Sequence, residues 1–472
     1  MVLILLNNLN KLTISGKSTY PIIEGGKGVS VSNGKSAGAF AKAGAVGTFS
    51  GVAGEWIDEN DNIIPLTYKG KTRNERHEEL MIHSVEAALC QAKIANEVSE
   101  GKGAIHMNIL WEMGGAERIL TEVLERAKGL INGITCGAGM PYKLASISEK
   151  YKVYYYPIIS SMRAFRALWK RSYSKHANYL GAVVYEDPWK AGGHNGLSNA
   201  EDPNAPENPY HRIKEIRSFM NSVGLEDTPI VMAGGVWNIG EYEDWLDNPE
   251  IGKICFQFGT RPIVTTENPA PDSWKKKLLT LKEGDVFLNK FSPTGFYSSA
   301  VNNDFIKTLR ERSNRQVEFS SDVTDIHNTV LTYGARNRKI YIKRDDFDKV
   351  TEWKNEGHTE LLKTPDNTAI FVSIKEAEVI RQDQVDCMGC LSYCAFSNWT
   401  TNEEMNFSTG RLPDPRSFCI QKTLQNIAYQ GDVVNELMFA GHNAFRFATD
   451  PYYDNGFIPT TQQLVDRILL GK

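Results

Sequence analysis

The sequence predicts an α/β protein, namely a TIM-type (β/α)8 barrel followed by a mixed α+β C-terminal module. Three observations lead to this fold class. Short apolar runs alternate with helical patterns eight times over about the first 270 residues. Glycine-rich turns follow many of these runs, at the ends where a barrel gathers its active-site loops. Beyond residue 270 the alternation stops, and 472 residues exceed the roughly 250–300 at which one hydrophobic core stops growing.

Eight strands are expected in the barrel, each followed by a helical pattern. They begin near Pro21, Ala45, Ala104, Asn132, Val153, Gly181, Pro229 and Lys253. One helix is predicted by Ile119, Leu120, Val123, Leu124 and Ala127, which share one face at 3.6 residues per turn. An open doubly wound sheet is the competing architecture. The glycine turns favour the closed barrel, because they recur after the first, fourth, sixth, seventh and eighth strands.

Three regions are expected along the chain. Residues 1–280 form the barrel, residues 281–380 a mixed α+β extension, and residues 381–472 a helical segment that carries cysteines. The extension contains three short predicted strands, at 286–288, 339–342 and 369–372. The chain closes on a helical pattern over 461–470.

The charge balance gives no indication of a nucleic-acid partner. The net charge of −4 results from 53 basic and 57 acidic residues, and both signs are interleaved throughout the chain. The short basic run Lys275–Lys277 is better explained as the polar side of a helix than as a nucleic-acid patch.

The apolar run Met1–Leu6 at the start of the chain is far shorter than the ~20 residues of a membrane span. It also lacks the basic start and the small-residue cleavage site of a signal peptide. We expect a short edge strand or a cap on the bottom of the barrel there. A cytoplasmic protein that does not bind a membrane is therefore expected.

Two glycine turns follow the last two predicted barrel strands. Gly234 and Gly235 come after the seventh strand, and Gly259 and Thr260 come after the eighth. Loops at these places commonly bind phosphate in barrels, because glycine lets backbone N–H groups approach the phosphate oxygens. Either turn alone is more simply a tight connection between a strand and a helix. Both together favour a phosphate site, to which the Thr260 hydroxyl adds a donor.

A histidine preceded by two glycines follows the sixth predicted strand. Gly192 and Gly193 let the backbone lie close to a flat ligand and leave His194 exposed at the barrel mouth. A single histidine is more often structural than catalytic. At a strand end, however, an imidazole that titrates near neutral pH is suited to acid–base catalysis, so His194 is the catalytic candidate. The irregular loop Leu197–Tyr210 is interpreted as a lid or a specificity loop.

The order and spacing of these motifs resemble one enzyme family. The motifs are Pro21–Gly28, Ala37–Ala39, Ala43–Gly47, Ala191–His194, Ala233–Gly235, Gly259–Arg261 and Ser292–Gly295. As a set, over about residues 18–305, they resemble the nitronate monooxygenase (2-nitropropane dioxygenase-like) family of FMN-dependent TIM-barrel oxidoreductases. The same opening motif occurs in related flavin-dependent enoyl-acyl-carrier-protein reductases. The cysteine-bearing tail is similar to that of a longer branch of the family.

The resemblance implies that the chain holds FMN mainly by backbone contacts. The phosphate of FMN would lie at Gly235, Gly259 and Thr260. The other cofactor-binding residues expected are Gly25, Gly26, Asn108, Glu186, Gly192, Gly193 and Gly234. His194 matches the family histidine that faces the substrate and is proposed to act on its α-carbon proton or nitro group.

Three departures from the family pattern concern the substrate. Trp189 and Lys190 precede the glycine–histidine motif where the family usually has an acidic or apolar residue. Lys27 replaces a methionine-like residue near the flavin, and Ser299 stands where relatives often carry arginine. These changes leave the prediction of FMN intact and weaken any prediction of a particular substrate.

Four of the seven cysteines lie in the tail. Cys387, Cys390 and Cys394 form a C-x2-C-x3-C pattern, and Cys419 follows 25 residues later. Four thiolates suit a tetrahedral zinc ion or an iron–sulfur cluster. Three closely spaced cysteines and a distant one favour the cluster slightly over zinc, and a tail without metal is the third alternative. The remaining cysteines are expected to be ordinary core thiols, namely Cys90, Cys136 and Cys255.

Two flavin reactions fit these expectations. In the leading one, an alkyl nitronate or a similar carbon acid reduces the flavin, O2 reoxidises it, and His194 handles the proton. In the alternative, NAD(P)H reduces the flavin, which then reduces an enoyl thioester or another double bond. A cofactor-free scaffold with a metal-binding tail is disfavoured by the two phosphate-type turns. The expected partner is a small-molecule substrate, joined by NAD(P)H in the alternative, and a homo-oligomer is left open.

Overall fold

A computed structural model describes residues 9–28, 31–60, 62–401, 406–429 and 431–472. The strand or cap expected at residues 1–6 lies outside the described residues. Eight parallel strands close into a barrel, named here β1 to β8. They are β1 (Ile22–Glu24), β2 (Val46–Ser50), β3 (Ala104–Leu110), β4 (Gly133–Gly137), β5 (Tyr154–Ile159), β6 (Val183–Glu186), β7 (Ile230–Ala233) and β8 (Ile254–Phe258).

The barrel closes because β8 pairs in parallel with β1, Phe256 lying opposite Ile22. All eight predicted strands are confirmed, and the closed barrel excludes the open doubly wound sheet. Strands β2, β4 and β8 are buried along their whole length. Burial on both faces is the reason that these strands read as continuous runs rather than as alternating apolar and polar residues.

Helices follow most of the strands and cover the outside of the barrel. They are Gly34–Lys42, Arg73–Ser99, Ala116–Ala127, Leu144–Tyr151, Met162–Arg171, Pro209–Ser222 and Asp272–Leu278. The helix Ala116–Ala127 buries the five apolar residues that predicted it. After β7 the connection is instead a 3-10 helix, Ile239–Trp245, begun by the Asn238 side chain, which accepts a hydrogen bond from the Glu241 N–H. Shorter 3-10 turns occupy Tyr173–Lys175, Ala177–Tyr179, Arg261–Ile263 and Arg344–Asp346.

A hairpin formed by Leu12–Ile14 and Lys17–Thr19 closes the amino-terminal end of the barrel. Its Ile14 packs among residues of the barrel interior. The Ser15 hydroxyl lies 2.8 Å from His106 Nε2 and 2.6 Å from the Tyr156 hydroxyl. Burial lowers the pKa of His106 to about 3, so this imidazole is neutral and serves as a packed, hydrogen-bonded plug.

The extension after the barrel has a small core of its own. Its helices are Asp304–Asn314, Phe347–Asn355 and Ile374–Asp386. Its strands form a three-stranded sheet, Gln316–Glu318, Thr368–Val372 and Glu360–Lys363, and a hairpin, Thr329–Tyr333 with Arg338–Ile342. Ile340, Val350 and Phe371 are among the buried residues between these elements. The strands predicted at 339–342 and 369–372 are confirmed, and that at 286–288 is part of the strand Val286–Asn289.

Three small sheets and the tail complete the fold. The sheets are Trp56–Ile57 with Ile63–Ile64, Trp399–Thr401 with Asn406–Ser408, and Gly193–His194 with Ser298–Val301 and Val286–Asn289. The tail contains Ile420–Tyr429, the 3-10 segments His442–Ala448 and Pro451–Gly456, and the helix Thr461–Leu469. That last helix, predicted from its periodicity, buries Leu464, Val465 and Ile468 in the main core. Within the described part of the chain, no helix combines the length and hydrophobicity that crossing a bilayer requires.

Candidate active site

The carboxyl ends of the barrel strands surround one cavity, called here the central cavity. All ten predicted cofactor-binding residues line it, namely Gly25, Gly26, Asn108, Glu186, Gly192, Gly193, Gly234, Gly235, Gly259 and Thr260. His194 lies in the same wall. The structure therefore brings together residues that are up to 235 positions apart in the sequence (25 to 260).

An open cleft of about 780 Å³, called here the side cleft, adjoins the central cavity. The two share five residues as a common wall, namely Met113, Ala138, Ile158, Glu186 and His194. The side cleft is bordered further out by Trp111, Met140 and Phe296, so that much of its surface is apolar. A ligand that fills both would pass Glu186 and His194 on its way.

The two predicted phosphate turns differ in how much they depend on glycine. Gly234 and Gly235 adopt φ angles of +83° and +78°, in the left-handed region that side chains other than glycine rarely enter. Gly259 has ordinary backbone angles, and a Cβ built on it would meet no atom within 4 Å. Open space beside bare backbone at the end of β8 is what the phosphate of FMN requires, so the turns fit that group.

Asn108, on β3, is held against the glycine turn that follows β1. The Thr135 hydroxyl donates a hydrogen bond of 3.1 Å to Asn108 Oδ1 and so fixes the amide orientation. A Cβ on Gly26 would lie 2.3 Å from Asn108 Cγ. Gly26 is thus required by the close approach of this side chain, and the pair presents an amide to the central cavity.

Two carboxyl groups, those of buried Glu24 and half-buried Glu186, lie at the ends of barrel strands in opposite electrostatic settings. Glu24, fully buried on β1, receives the Lys27 ammonium at 2.6 Å, the Ser36 hydroxyl at 2.6 Å and the Thr48 N–H at 3.2 Å. Lys27, which departs from the family pattern, therefore balances this charge. The carboxyl group of Glu186, on β6, has no such partner among the described residues. Burial, and secondarily the adjacent Asp187, raise the pKa of Glu186 to about 8.

His194 is half-buried where the central cavity meets the side cleft, and not freely exposed as the sequence suggested. Its Nε2 lies 2.6 Å from the Ser292 hydroxyl, and the Phe439 ring packs edge-on against the imidazole at 5.2 Å between ring centres. Burial lowers the pKa of His194 to about 4, which corrects the expectation of titration near neutral pH. The imidazole is neutral at pH 7. The motif Ser292–Gly295 thus acts as the support of this ring.

A tail segment that sequence reasoning did not assign to the site, Phe439–Asn443, completes the cavity. The Gly441 N–H donates to Thr260 Oγ1 at 2.9 Å, and Asn443 Nδ2 donates to the Gly235 carbonyl at 2.5 Å. A Cβ on Gly192 would lie 2.6 Å from the Ala440 carbonyl carbon. Three of the predicted glycine turns are therefore covered by the tail. The only sequence signal for this close approach is the presence of small residues in Phe439–Asn443.

The predicted lid, Leu197–Tyr210, is tied down by one arginine. Arg212 Nε and Nη2 lie 2.8 Å from Glu207 and 2.5 Å from Glu201, respectively. The Arg212 guanidinium also stacks on Trp189, and Trp189 Nε1 donates to the Asp202 carbonyl at 2.9 Å. These bonds account for Trp189, another departure from the family pattern, and they hold the loop beside the side cleft.

The predicted metal ligands Cys387, Cys390, Cys394 and Cys419 need correction. All four are described, and no group of three or more His, Cys, Asp or Glu side chains in the described residues is arranged to hold a metal ion. The Cys387 sulfur instead accepts hydrogen bonds from Cys394 and Ser397, which with a bond from the Gly389 N–H hold its pKa at about 6 despite burial. Burial raises the pKa of Cys390 well above its usual value and that of Cys419 to about 11. Neither an iron–sulfur cluster nor zinc is supported.

The sequence matches the family model for nitronate monooxygenase over residues 10–374. The chain belongs to the nitronate monooxygenase family. It is accordingly a flavin-dependent oxidoreductase, and the family supports FMN as its cofactor. No curated protein is significantly similar to it in sequence.

Two solved structures are similar over nearly the whole chain. FabK from Thermotoga maritima shares 14% sequence identity, with a TM-score of 0.51, over 99% of this chain and 94% of that one. The enoyl reductase domain of MlnA, from the macrolactin biosynthesis cluster of Bacillus amyloliquefaciens, shares 11% identity, with a TM-score of 0.54, over 96% and 93%. At these identities the likeness shows the fold alone, and it includes the extension and the tail.

Proposed function

We propose that this protein is an FMN-dependent reductase of a carbon–carbon double bond conjugated to the carbonyl of an acyl thioester. The observation that carries the proposal is the junction of the central cavity with the side cleft of about 780 Å³. A nitroalkane of about six heavy atoms needs on the order of 100–200 Å³, at about 30 Å³ for a water-sized group. The cleft has the size and apolar lining of a site for a much longer ligand.

This chain shares its fold with the enoyl reductase domain of MlnA, whose name states a reduction of this kind. The likeness extends over the tail, which here covers the central cavity. Double-bond reduction was the alternative reaction in the sequence analysis, and nitronate oxidation was the leading one.

FMN would be held at the phosphate turns Gly234–Gly235 and Gly259–Thr260, with the amide of Asn108 and the backbone of Gly192 beside the ring system. When bound, FMN supplies hydride transfer. NAD(P)H would be the source of the electrons. The tail segment Phe439–Asn443 would exclude water from the cofactor, because it closes the cavity over Gly192.

Glu186 would supply the proton that the α-carbon gains when the double bond is reduced. Its carboxyl group keeps a proton at pH 7, since its pKa is raised to about 8, and it faces both the central cavity and the side cleft. Neutral His194 cannot act as an imidazolium acid at that pH. Its Nδ1, left free by the Nε2 contact with Ser292, would donate a hydrogen bond to the substrate carbonyl.

Oxidation of alkyl nitronates is the second candidate, and membership of the nitronate monooxygenase family favours it. A neutral His194 is compatible with it, because a nitronate arrives already deprotonated and needs only a hydrogen-bond donor. The side cleft would then have no role in the reaction.

Anaerobic half-reactions separate the two candidates. We expect NADH or NADPH to bleach the flavin absorbance of the purified protein, and trans-2-dodecenoyl-CoA to restore it with one equivalent of saturated product. Propyl-2-nitronate should leave the oxidised flavin unchanged. Bleaching by the nitronate and not by either nicotinamide, with recovery only on admission of O2, would overturn the reductase and establish the second candidate.

A further inference from the structure

We infer that Cys387 and Cys394 form an oxidisable dithiol, a modification site that a hydroperoxide converts to a disulfide beside the central cavity. The site is separate from the cofactor chemistry proposed above. It lies in the segment Cys387–Phe396, called here the cysteine loop, which begins where the helix Ile374–Asp386 ends.

The two thiols are already in contact. The Cys394 thiol donates a hydrogen bond to the Cys387 sulfur, and the Ser397 hydroxyl donates a second at 3.1 Å. The Gly389 N–H donates a third. Donors around one sulfur favour its thiolate, which is the form that attacks a peroxide. The second thiol is then placed to attack the oxidised sulfur.

The cysteine loop gives a small oxidant a way in. Cys390 and Leu391 line the central cavity, and Ser392 and Tyr393 line the side cleft. Tyr393 is 69% exposed, whereas Cys387 and Cys394 are 3% and 8% exposed. A peroxide that enters the cleft therefore meets the loop at Ser392 and Tyr393, which immediately precede Cys394.

The loop is also fixed to the residues that border the cleft. The Gly114 N–H donates to the Cys390 carbonyl at 3.0 Å, and the Ser392 N–H donates to the Glu112 carbonyl at 2.8 Å. A disulfide requires the two sulfurs to move from hydrogen-bond contact to about 2.05 Å. That movement pulls on the backbone between them, which lines the central cavity at Cys390 and Leu391 and the side cleft at Ser392 and Tyr393.

The chemistry is balanced with the hydroperoxide as the only co-reactant. The Cys387 thiolate attacks the peroxide, an S–O bond forms, the O–O bond breaks, and the leaving alkoxide or hydroxide takes a proton. Cys394 then attacks the resulting sulfenic acid, so that an S–S bond forms, the S–O bond breaks, and the released hydroxide leaves as water with the Cys394 proton. Two thiols and one hydroperoxide give one disulfide, one alcohol (or water) and one water.

Hydrogen peroxide is the probe for this site. The flavin-loaded protein is reduced, freed of reductant, assayed for iron and zinc, and treated with one to five equivalents of peroxide. We expect the seven thiols of the denatured chain to fall to five, and dithiothreitol to restore all seven. Chymotrypsin cleaves after Tyr393, between the two cysteines, and we expect mass spectrometry to find the two pieces still joined.

Two variants test whether Cys387 and Cys394 are the cysteines that are oxidised. Cys394→Ser should lose the disulfide and accumulate a sulfenic acid on Cys387 that dimedone traps. Cys90→Ser is the matched control, since Cys90 lies on another helix and only donates a hydrogen bond to the Ile57 carbonyl. It should still lose two thiols on oxidation. Stoichiometric zinc or iron on the reduced protein, a disulfide between other cysteines, or seven thiols surviving the peroxide would each overturn the inference.

Discussion

The barrel half and the tail half of the site are built in different ways. The barrel contributes glycine turns and polar side chains at the ends of its strands, where a repeating fold places them. The tail contributes Phe439–Asn443 and the cysteine loop, which reach the same cavity from positions about 200 residues further along the chain. The barrel half can thus be anticipated from periodicity, whereas the tail half depends on long-range packing. The tail nevertheless closes the site.

The strongest test of the barrel half is Gly259→Val. A side chain at this position meets no protein atom, so the apoprotein should melt within a few degrees of the parent. It would occupy the space proposed for the phosphate, and we expect FMN affinity to fall by at least ~100-fold, about 2.7 kcal/mol. The measurements are thermal melting followed by circular dichroism and FMN titration followed by fluorescence.

Gly235→Val is the contrasting variant in the neighbouring turn. Because Gly235 has a φ of +78°, a side chain there costs roughly 1–2 kcal/mol of folding stability in addition to any effect on FMN. Only Gly259→Val separates the loss of FMN affinity from a loss of folding stability. Full FMN content in that variant would place the phosphate elsewhere.

Glu186→Gln tests the acid proposed for the reaction. Glutamine keeps the size of the side chain but cannot supply a proton, so double-bond reduction should slow by ~10²–10⁴-fold. Reduction of the flavin by NAD(P)H should stay within a few fold. The parent's rate of double-bond reduction should fall as the pH rises through about 8, where Glu186 ionises. The variant's rate should show no such fall. Stopped-flow measurements of both half-reactions from pH 6 to 10 test this prediction.

Glu186→Gln should also change the way in which folding stability depends on pH. Glu186 ionises near 4.5 when its environment is ordinary and near 8 when folded, so the folded state binds more protons between these values. Stability therefore decreases as the pH rises from about 4.5 to about 8, and Glu186→Gln removes this loss. The melting temperature of the variant relative to the parent should increase from pH 5 to pH 9. A difference independent of pH would mean that folding does not raise the pKa of Glu186.

His194→Ala is expected to retain FMN and to slow substrate turnover by ~10²–10³-fold, the usual effect of losing one hydrogen-bond donor to a developing oxyanion. His211→Ala, on the exposed side of the helix Pro209–Ser222, is the control and should be unaffected. Steady-state assays with the flavin content determined for each preparation are the measurement. Turnover within a few fold of the parent would make His194 a packing residue.

The smallest expected effect concerns the tail. Asn443→Ala removes the hydrogen bond to the Gly235 carbonyl, and a bond of this kind is worth about 0.5–1.5 kcal/mol, or roughly 2–12-fold in FMN affinity. Asn435→Ala is the matched control, because Asn435 donates only to Asp432 at the exposed surface. Equal FMN affinities in both variants would show that the tail merely covers the cavity.

The predictions from the sequence agree with the structure where they depended on local rules. The eight strands, the buried face of Ala116–Ala127 and the convergence of the ten predicted cofactor residues follow from hydrophobic periodicity and from the rule that barrel loops meet at one end. The three-region division at residues 280 and 380 stays a prediction. A His194 that titrates near neutral pH and the metal-binding cysteines were not supported, since neither desolvation nor the direction of a thiol can be read from spacing.

The sequence by itself determined the fold class, the family and the set of residues around the cavity. These depend on the period of apolar residues and on glycines at strand ends, which act locally. Only the tertiary structure decided the protonation of Glu186 and His194, the pairing of Cys387 with Cys394, and the closure of the cavity by Phe439–Asn443. Each of these arises from burial or from contact between distant segments, and both the cost of desolvating a charge and the reach of a hydrogen bond depend on where the folded chain places its neighbours.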